Sequence, residues 1–338
     1  MKKITPITSI TFITLITCLA LPISSKSQNL QTSKPDTWVL AIHGGAGGPG
    51  RGSMSADAEK KYLDSLDRAL EIGSGILKSG GTSLDAVEAV VRFMEDCPLF
   101  NAGKGAVYNA DGQAELDASI MDGSNMKAGA VAGVHRIKNP ITTARRVMEK
   151  TPHVLLMSEG AEDFARQEGL ELVKPSYFRT TSRTEQYEKM KRKGQEEKAS
   201  KHGTVGAVAL DVHGNLAAAT STGGMMMKMK GRLGDTPIIG AGTYASNSTC
   251  AVSCTGHGEY FIRYAVAYDV SALMEYKGMT VEDAARKIIM EKLPSAGGTG
   301  GLIAVDHEGN ITMPFNTQAM FRGWSKSNGE KGSAIFPE

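Results

Sequence analysis

Two stretches of the chain carry the same pattern, and that pattern restricts the fold. Val205-Gly206-Ala207-Val208-Ala209-Leu210 is an apolar run of small and β-branched residues. The polar turn Asp211-Val212-His213-Gly214 follows, and Asn215 to Ser221 returns as a second strand. Near the end, Gly301-Leu302-Ile303-Ala304-Val305, the turn Asp306-His307-Glu308-Gly309 and the segment Asn310 to Phe315 repeat it. Buried runs joined by short turns ending in Gly-Asn predict antiparallel sheet. Further strands are predicted at Val39–Ile42, Ala114–Gly123, Ala128–Val134 and Val154–Met157. Helical spacing marks Ala56–Gly73, with Tyr62, Leu63, Leu66, Ala69 and Leu70 on one face. A second helix is capped by Thr82 or Ser83 and carries the stripe Leu84, Val87, Val90, Val91 and Met94. Thr142–Glu149, Tyr260–Tyr276 and Val281–Lys292 are also predicted as helices. The whole reads as an α+β fold of stacked sheets covered by helices.

The chain begins with the basic pair Lys2 and Lys3, an apolar stretch from about Ile10 to Ile23, and the small-x-small triplet Ser25-Lys26-Ser27. The stretch is too short to span a bilayer comfortably, so residues 1–27 are expected to be a cleaved signal peptide with Gln28 at the mature start. The protein is therefore expected outside the cytoplasm, in the periplasm, with lipidation at Cys18 as the less favoured alternative. The formal charge of +2 becomes −1 once Lys2, Lys3 and Lys26 are removed, which gives no footing for nucleic acid. The cysteines that remain, Cys97, Cys250 and Cys254, make no disulfide framework and no zinc pattern, and read as buried thiols.

The composition breaks sharply from Ser182 to His202, where charged residues dominate and core-forming ones almost vanish. Residues 182–203 are therefore expected to be a mobile linker, with a solvated helix as the other reading. Order resumes at Gly203-Thr204. A threonine at a strand start is usually structural. A threonine at a chain N-terminus, however, holds a hydroxyl nucleophile beside an α-amine of pKa about 8, which serves as its base. Glycine before it leaves the scissile carbonyl unshielded.

Two clusters lie downstream. Thr220-Ser221-Thr222-Gly223-Gly224 leads to Gly231-Arg232-Leu233-Gly234-Asp235, in which Arg232 suits a carboxylate and Asp235 an ammonium. Thr255-Gly256-His257-Gly258-Glu259 offers a threonine hydroxyl and glycine N–H groups to a developing oxyanion. His257 is given a secondary part only. His43-Gly44-Gly45-Ala46-Gly47 lacks the ending of a phosphate loop and reads as close backbone packing near the site.

Together these residues resemble the plant-type asparaginases, or isoaspartyl peptidases, of the N-terminal-nucleophile (Ntn) hydrolases. The likeness runs from about Trp38 to Trp324 through the His43 glycine loop, Pro98-Leu99-Phe100-Asn101-Ala102-Gly103, Glu115–Gly123, Gly203-Thr204-Val205-Gly206, Thr220–Gly224, Gly231–Asp235 and Thr255–Glu259. The resemblance implies a four-layer αββα sandwich. It also implies self-cleavage into an α chain, residues 28–203, and a β chain, residues 204–338. Thr204 becomes the nucleophile and Thr222 its hydrogen-bond partner. Arg232 takes the substrate α-carboxylate, while Asp235 and the carbonyl of Gly258 take its α-ammonium. Thr255 and the N–H of Gly256 form the oxyanion hole, and Asn101 lines the site. No cofactor is required. A structural sodium is implied on the backbone carbonyls of Met94, Glu95, Cys97, Phe100, Ala102 and Lys104. The expected reaction is release of L-aspartate from β-aspartyl peptides and L-asparagine, by a homodimer of αβ units with no membrane span after maturation.

Met225–Lys230 departs from the Thr-Asn-Lys-Leu-Pro stretch that the family often carries. Lys228 and the methionines are expected to shape access to the leaving-group side. A glycosylasparaginase of the same class is the nearest alternative, and Gly203-Thr204 and Thr-Gly-His-Gly-Glu count against it. A non-catalytic amino-acid-binding protein is the more distant one, and it would need no nucleophile.

Overall fold

The computed structural model describes residue 1 and residues 37–193 and 203–337. Apart from Met1, the leader predicted over residues 1–27 lies outside the described residues, as do Cys18 and Gln28.

The strands are β1 (Val39–Ala46), β2 (Leu116–Asp122), β3 (Ala128–Val134), β4 (Leu155–Met157), β5 (Val205–Leu210), β6 (Leu216–Thr222), β7 (Thr243–Ala245), β8 (Cys250–Gly256), β9 (Gly300–Asp306), β10 (Ile311–Thr312), β11 (Met320–Lys326) and β12 (Lys331–Ala334). The helices are α1 (Ala56–Lys78), α2 (Ser83–Asp96), α3 (Pro140–Lys150), α4 (Ser158–Gln167), α5 (Thr181–Lys193), α6 (Gly258–Tyr264), α7 (Val266–Lys277) and α8 (Val281–Arg286). The described strands form an eight-stranded sheet, in the order β12-β11-β1-β5-β6-β2-β3-β4, and a four-stranded sheet, in the order β10-β9-β8-β7. Every pairing is antiparallel except β3 with β4. Both repeated hairpins form as the sequence predicts, Val205 facing Ser221 in one and Val305 facing Ile311 in the other.

Alternation decides which side chains go where. On β1, Leu40 and Ile42 join Leu66, Leu70, Val87 and Val90 of α1 and α2 in one apolar cluster. Val39 and Ala41 face the other way and meet Val208, Ala218, Ala251 and Ile303 from both sheets. The far face of the smaller sheet, Val252, Cys254 and Leu302, packs on Val266, Val270 and Ile288. Cys97, Cys250 and Cys254 are free thiols, and burial pushes the Cys250 thiol up to about 12. Among the described residues no helix is long and apolar enough to cross a membrane.

Two sequence expectations change. The single helix predicted over Tyr260–Tyr276 is two helices, broken at Ala265, which takes left-handed angles (φ 46°, ψ 50°). The break lets the first N–H groups of α7, from Ala267 and Tyr268, reach the carbonyls of Ala241 and Gly240, satisfying donors that a helix start leaves open. The expected mobile linker is helical over its first part, in α5, while residues 194–202 lie outside the described residues. α5 docks chiefly through Arg183 and Tyr187, with Met190 packed on the cluster around Tyr187 and Thr184 Oγ1 3.4 Å from the Tyr108 hydroxyl. The Arg183 guanidinium donates to the carbonyls of Gly105 and Leu99 at 2.7 and 3.3 Å. Tyr187 is buried edge-on against Tyr108 and donates to the Ala110 carbonyl at 3.1 Å. Tyr187 and Met190 alone, among charged residues, are too sparse to register as an apolar stripe. Tyr187→Ala is expected to speed hydrogen exchange across 181–192 while β5 and β6 keep their protection, as followed by mass spectrometry of peptic fragments.

Candidate active site

Thr204 stands just before β5, in the middle of the larger sheet, and is buried. Its position follows from the pairing of Val205 with Ser221, which carries Thr204 opposite Thr222, the last residue of β6. The Thr204 hydroxyl donates to Thr222 Oγ1 at 3.2 Å, and Thr222 Oγ1 donates to the Gly203 carbonyl at 3.1 Å. The Gly224 N–H donates to the same Thr222 oxygen at 3.0 Å, so one hydroxyl gives one hydrogen bond and takes two.

Asn101 completes the hold on Gly203. Its Nδ2 donates to the carbonyls of Gly203 and Gly224, both at 2.7 Å, while Oδ1 accepts from Val107 N–H at 2.9 Å. The partners fix the amide orientation, because carbonyls only accept and a backbone N–H only donates. The Gly203 carbonyl thus receives two donors, which draw its electrons toward oxygen.

The glycine loop lies where the sequence reading put it. β1 carries a bulge between His43 and Gly45. Gly45 has φ +112°, and a Cβ there would stand 2.8 Å from the Gly203 α-carbon and 3.0 Å from the Thr204 nitrogen. Only glycine allows this backbone to lie against that peptide bond. His43 does more than the sequence suggested. Its Nδ1 lies 3.0 Å from the Thr204 carbonyl and its Nε2 2.9 Å from Ser253 Oγ. Burial pushes the imidazole down to about 3, so the ring is neutral, with its proton on Nδ1 facing the carbonyl. Behind Ser253 a buried run of hydroxyls continues through Thr220 (2.7 Å) and Thr243 (2.6 Å) to Ser119 (2.7 Å).

The second half of the site is built by the turn before α6. Thr255, fully buried, accepts from the Ala46 N–H at 3.1 Å, which ties it to the glycine loop. Gly258 lies between Arg232 and Asp235: a Cβ there would stand 2.9 Å from both Arg232 Nη2 and Asp235 Oδ1. Asp235 is buried and its Oδ2 has no hydrogen-bond partner. Burial pushes this carboxyl up to about 7 against the pull of Arg232. A buried carboxylate with a bare oxygen is a cation acceptor in search of a partner. Glu259, absent from the sequence assignment, grips Arg232 with two bonds of 2.9 Å. Its other neighbour is His257, at 3.2 Å.

Within Met225–Lys230, Lys228 points inward. It is buried, its Nζ donates to the Glu115 carbonyl at 2.8 Å, and it lies 3.8 and 3.9 Å from the carboxylates of Glu115 and Asp117. Met226 is likewise buried, beside Tyr108 and Tyr187, whereas Met229 is exposed. Two acidic neighbours and a carbonyl outweigh the preference of a lysine for water. Among the described residues no group of three or more His, Cys, Asp or Glu side chains is placed to hold a metal ion.

A threonine hydroxyl beside a doubly hydrogen-bonded glycyl carbonyl, with a glycine loop tied to Thr255 and a turn that brings Arg232 close to Asp235, fits a class that most of the chain matches. The protein belongs to the asparaginase family, whose profile matches residues 36–335. It is 50% identical over 309 residues to the isoaspartyl peptidase of Escherichia coli, covering 89% of this chain and 96% of that protein. It is 51% identical over 309 residues to the isoaspartyl peptidase of Salmonella typhimurium, with coverage of 89% and 99%. The isoaspartyl peptidase/L-asparaginase of Homo sapiens is 44% identical over 285 residues, with coverage of 83% and 91%.

Behind the site, the side chain of Glu95 on α2 accepts from Ser221 Oγ at 2.7 Å and from the Ile141 N–H at 3.0 Å. Ser221 is the neighbour of Thr222, so this acid braces the strand that carries Thr222. Burial pushes the Glu95 carboxyl up to about 8 from 4.5, outweighing its hydrogen bonds. The folded protein therefore keeps a proton that the unfolded chain releases above about 4.5. By linkage, stability falls as pH rises from about 4.5 to about 8. Glu95→Gln keeps the shape without the proton and is expected to flatten this fall. Denaturation midpoints at pH 5 and pH 8, wild type beside variant, check it.

Proposed function

We propose that the chain cuts itself between Gly203 and Thr204 and then, with the freed Thr204, hydrolyses β-aspartyl amides: isoaspartyl peptides and L-asparagine, with L-aspartate as product. The observation that carries the proposal is the Gly203 carbonyl, which takes donors from Asn101 and Thr222 while the Thr204 hydroxyl bonds to that same Thr222 oxygen. The names and high identity of the relatives support the substrate class.

In maturation, Thr204 Oγ attacks the Gly203 carbonyl carbon. Its proton passes toward Thr222, the C–N bond breaks, and the nitrogen takes up a proton. The resulting ester between Gly203 and Thr204 Oγ is split by water, leaving a carboxylate and a free α-amine. Charge building on the carbonyl oxygen meets the amide of Asn101 and the hydroxyl of Thr222. In turnover the α-amine acts as base, so no histidine is needed. Thr204 Oγ attacks the side-chain carbonyl of the substrate, ammonia or an amino acid leaves, and water releases aspartate. Thr255 and the Gly256 N–H face the oxyanion of this second reaction in the proposed scheme. Arg232 takes the α-carboxylate, and Asp235, with the Gly258 carbonyl, takes the ammonium. The bare Asp235 oxygen supports that assignment.

The four-layer αββα arrangement belongs to the same reading, supported by apolar clusters on both faces of both sheets. So do the division into residues 28–203 and 204–338, export to the periplasm and a homodimer of αβ units. A structural sodium on the loop from Met94 to Lys104 belongs to the same reading, and close turns of that loop bring its backbone oxygens together. The carbonyls of Glu95 and Phe100 face the α-carbons of Gly103 and Gly105, leaving no room for a side chain at either. Backbone oxygens alone suit a hard cation, which would stiffen the loop carrying Asn101.

Intact-mass analysis tests the core of this proposal. Wild type is expected as two chains, one beginning at Thr204, and Thr204→Ala as one; a wild type that stays whole and releases no aspartate overturns it. Asn101→Ala is expected to slow self-cleavage by about a hundredfold, the usual cost of one oxyanion donor. Because burial holds free Asp235 at about 7, its charged form is scarce below that pH. KM for asparagine is therefore expected to fall as pH rises from 6 to 8, and Asp235→Asn to raise KM and remove the trend.

A further inference from the structure

The substrate cradle contains one charged residue that the scheme above does not use. Glu259 occupies the first turn of α6, and its side chain is half exposed. Its carboxylate meets Arg232 along one edge of the guanidinium, Oε1 with Nε and Oε2 with Nη2, both at 2.9 Å. A guanidinium has five N–H donors in a fixed plane. Two are spent on Glu259. The other three, one on Nη2 and two on Nη1, lie at the far end of the fork.

That end is bordered by residues with no side chain. A Cβ on Gly234 would stand 2.9 Å from Nη1, and one on Gly258 would stand 2.9 Å from Nη2 and equally from Asp235 Oδ1. The bare Oδ2 of Asp235 belongs to the same corner. Neither Gly234 nor Gly258 puts a side chain between a carboxylate at the guanidinium end and an ammonium at Asp235. Glu259 takes the edge that would otherwise offer a competing, equally bidentate seat for a carboxylate.

Resting on the proposed reading of the site, we propose that Glu259 is a positioning residue: by filling the Nε edge of Arg232 it turns the Nη end toward the substrate and makes a free α-carboxylate a requirement of the site. The fixed geometry supplies selectivity, since a flexible arginine would lose ordering entropy on each binding event. The carboxylate stays charged in this role. Burial works against the charge, but the hydrogen bond and the positive charge of Arg232 outweigh it and hold Glu259 below its ordinary range.

The experiment compares wild type with Glu259→Gln and Glu259→Ala, each after self-cleavage, on L-asparagine and on L-asparaginamide, which lacks the α-carboxylate. The expected result is a KM for asparagine raised about tenfold or more, the scale of one charged hydrogen bond, with kcat within about twofold. KM for asparaginamide should stay unchanged, so the preference for asparagine shrinks. A general loosening of the turn would instead lower kcat on both compounds or raise both KM values together, and either outcome overturns the proposal, as do variants indistinguishable from wild type. The half-exposed position of the side chain favours folding of both variants, and thermal melts verify it; the smaller change, Glu259→Gln, carries the test if Glu259→Ala does not fold. A wild type that releases no aspartate sinks the hydrolase reading itself, before any variant is compared.

Discussion

The peptide bond between Gly203 and Thr204 is held from every side, and the surrounding structure is organised by that hold. Asn101 and Thr222 take the carbonyl before it, His43 takes the carbonyl after it, and the backbone of Gly45 lies against its α-carbon and nitrogen. Four distant segments must therefore converge within hydrogen-bond distance. A loop or a surface strand would leave these polar groups to water. At the centre of an eight-stranded sheet they have only one another, and each hydrogen bond gains in worth from the surrounding apolar packing.

Convergence of this kind explains the polarity of the space between the sheets. At one end of the inter-sheet layer, Val39, Val208, Ala251 and Ile303 form a dry apolar contact. Toward Thr204 the same strand faces turn to hydroxyls: Ala218 gives way to Thr220 and Thr222 on β6, and Ala251 to Ser253 and Thr255 on β8. Small hydroxyl side chains fill the volume of alanine or valine while carrying protons and lone pairs. They support a buried neutral His43 without placing a charge beside Thr204.

Much of this was legible in the sequence. The hairpins at Val205 and Gly301, the caps and stripes of the first two helices, and the close packing of the glycine loop against Gly203 follow from local periodicity and turn chemistry. Thr204, Thr222, Asn101, Thr255, Gly258, Arg232 and Asp235 come together as two joined clusters. Ser253 was not singled out, and Thr220 and Glu259 were quoted within motifs but given no role, because their partners lie in other segments: His43 is 210 positions from Ser253. The parity of Ser253 with Thr255 was a usable signal, since a strand face that turns polar only at one end marks where a site begins. The docking of α5 was illegible for a different reason. Its hold rests on Arg183, Thr184, Tyr187 and Met190, of which only Tyr187 and Met190 are core-forming, too few in a charged helix to mark an apolar face. The inward turn of Lys228 was illegible because its carboxylate neighbours, Glu115 and Asp117, lie more than a hundred positions away.

The strand order has a consequence for the life of the molecule once residues 203 and 204 part as proposed. β1 would belong to the first piece, yet it is hydrogen-bonded on one side to β11 and on the other to β5, both of the second; β6 of the second piece is bonded in turn to β2 of the first. The pieces are interleaved and cannot drift apart while the sheet stands. Once melted, however, they become two separate molecules that must find each other again, so recovery depends on concentration where the uncut chain needed only itself. Maturation would thus trade reversibility for activity: the chain carries the instructions for its own shape in full only once, before the cut, and the finished enzyme lives on a fold that it assembled as something else.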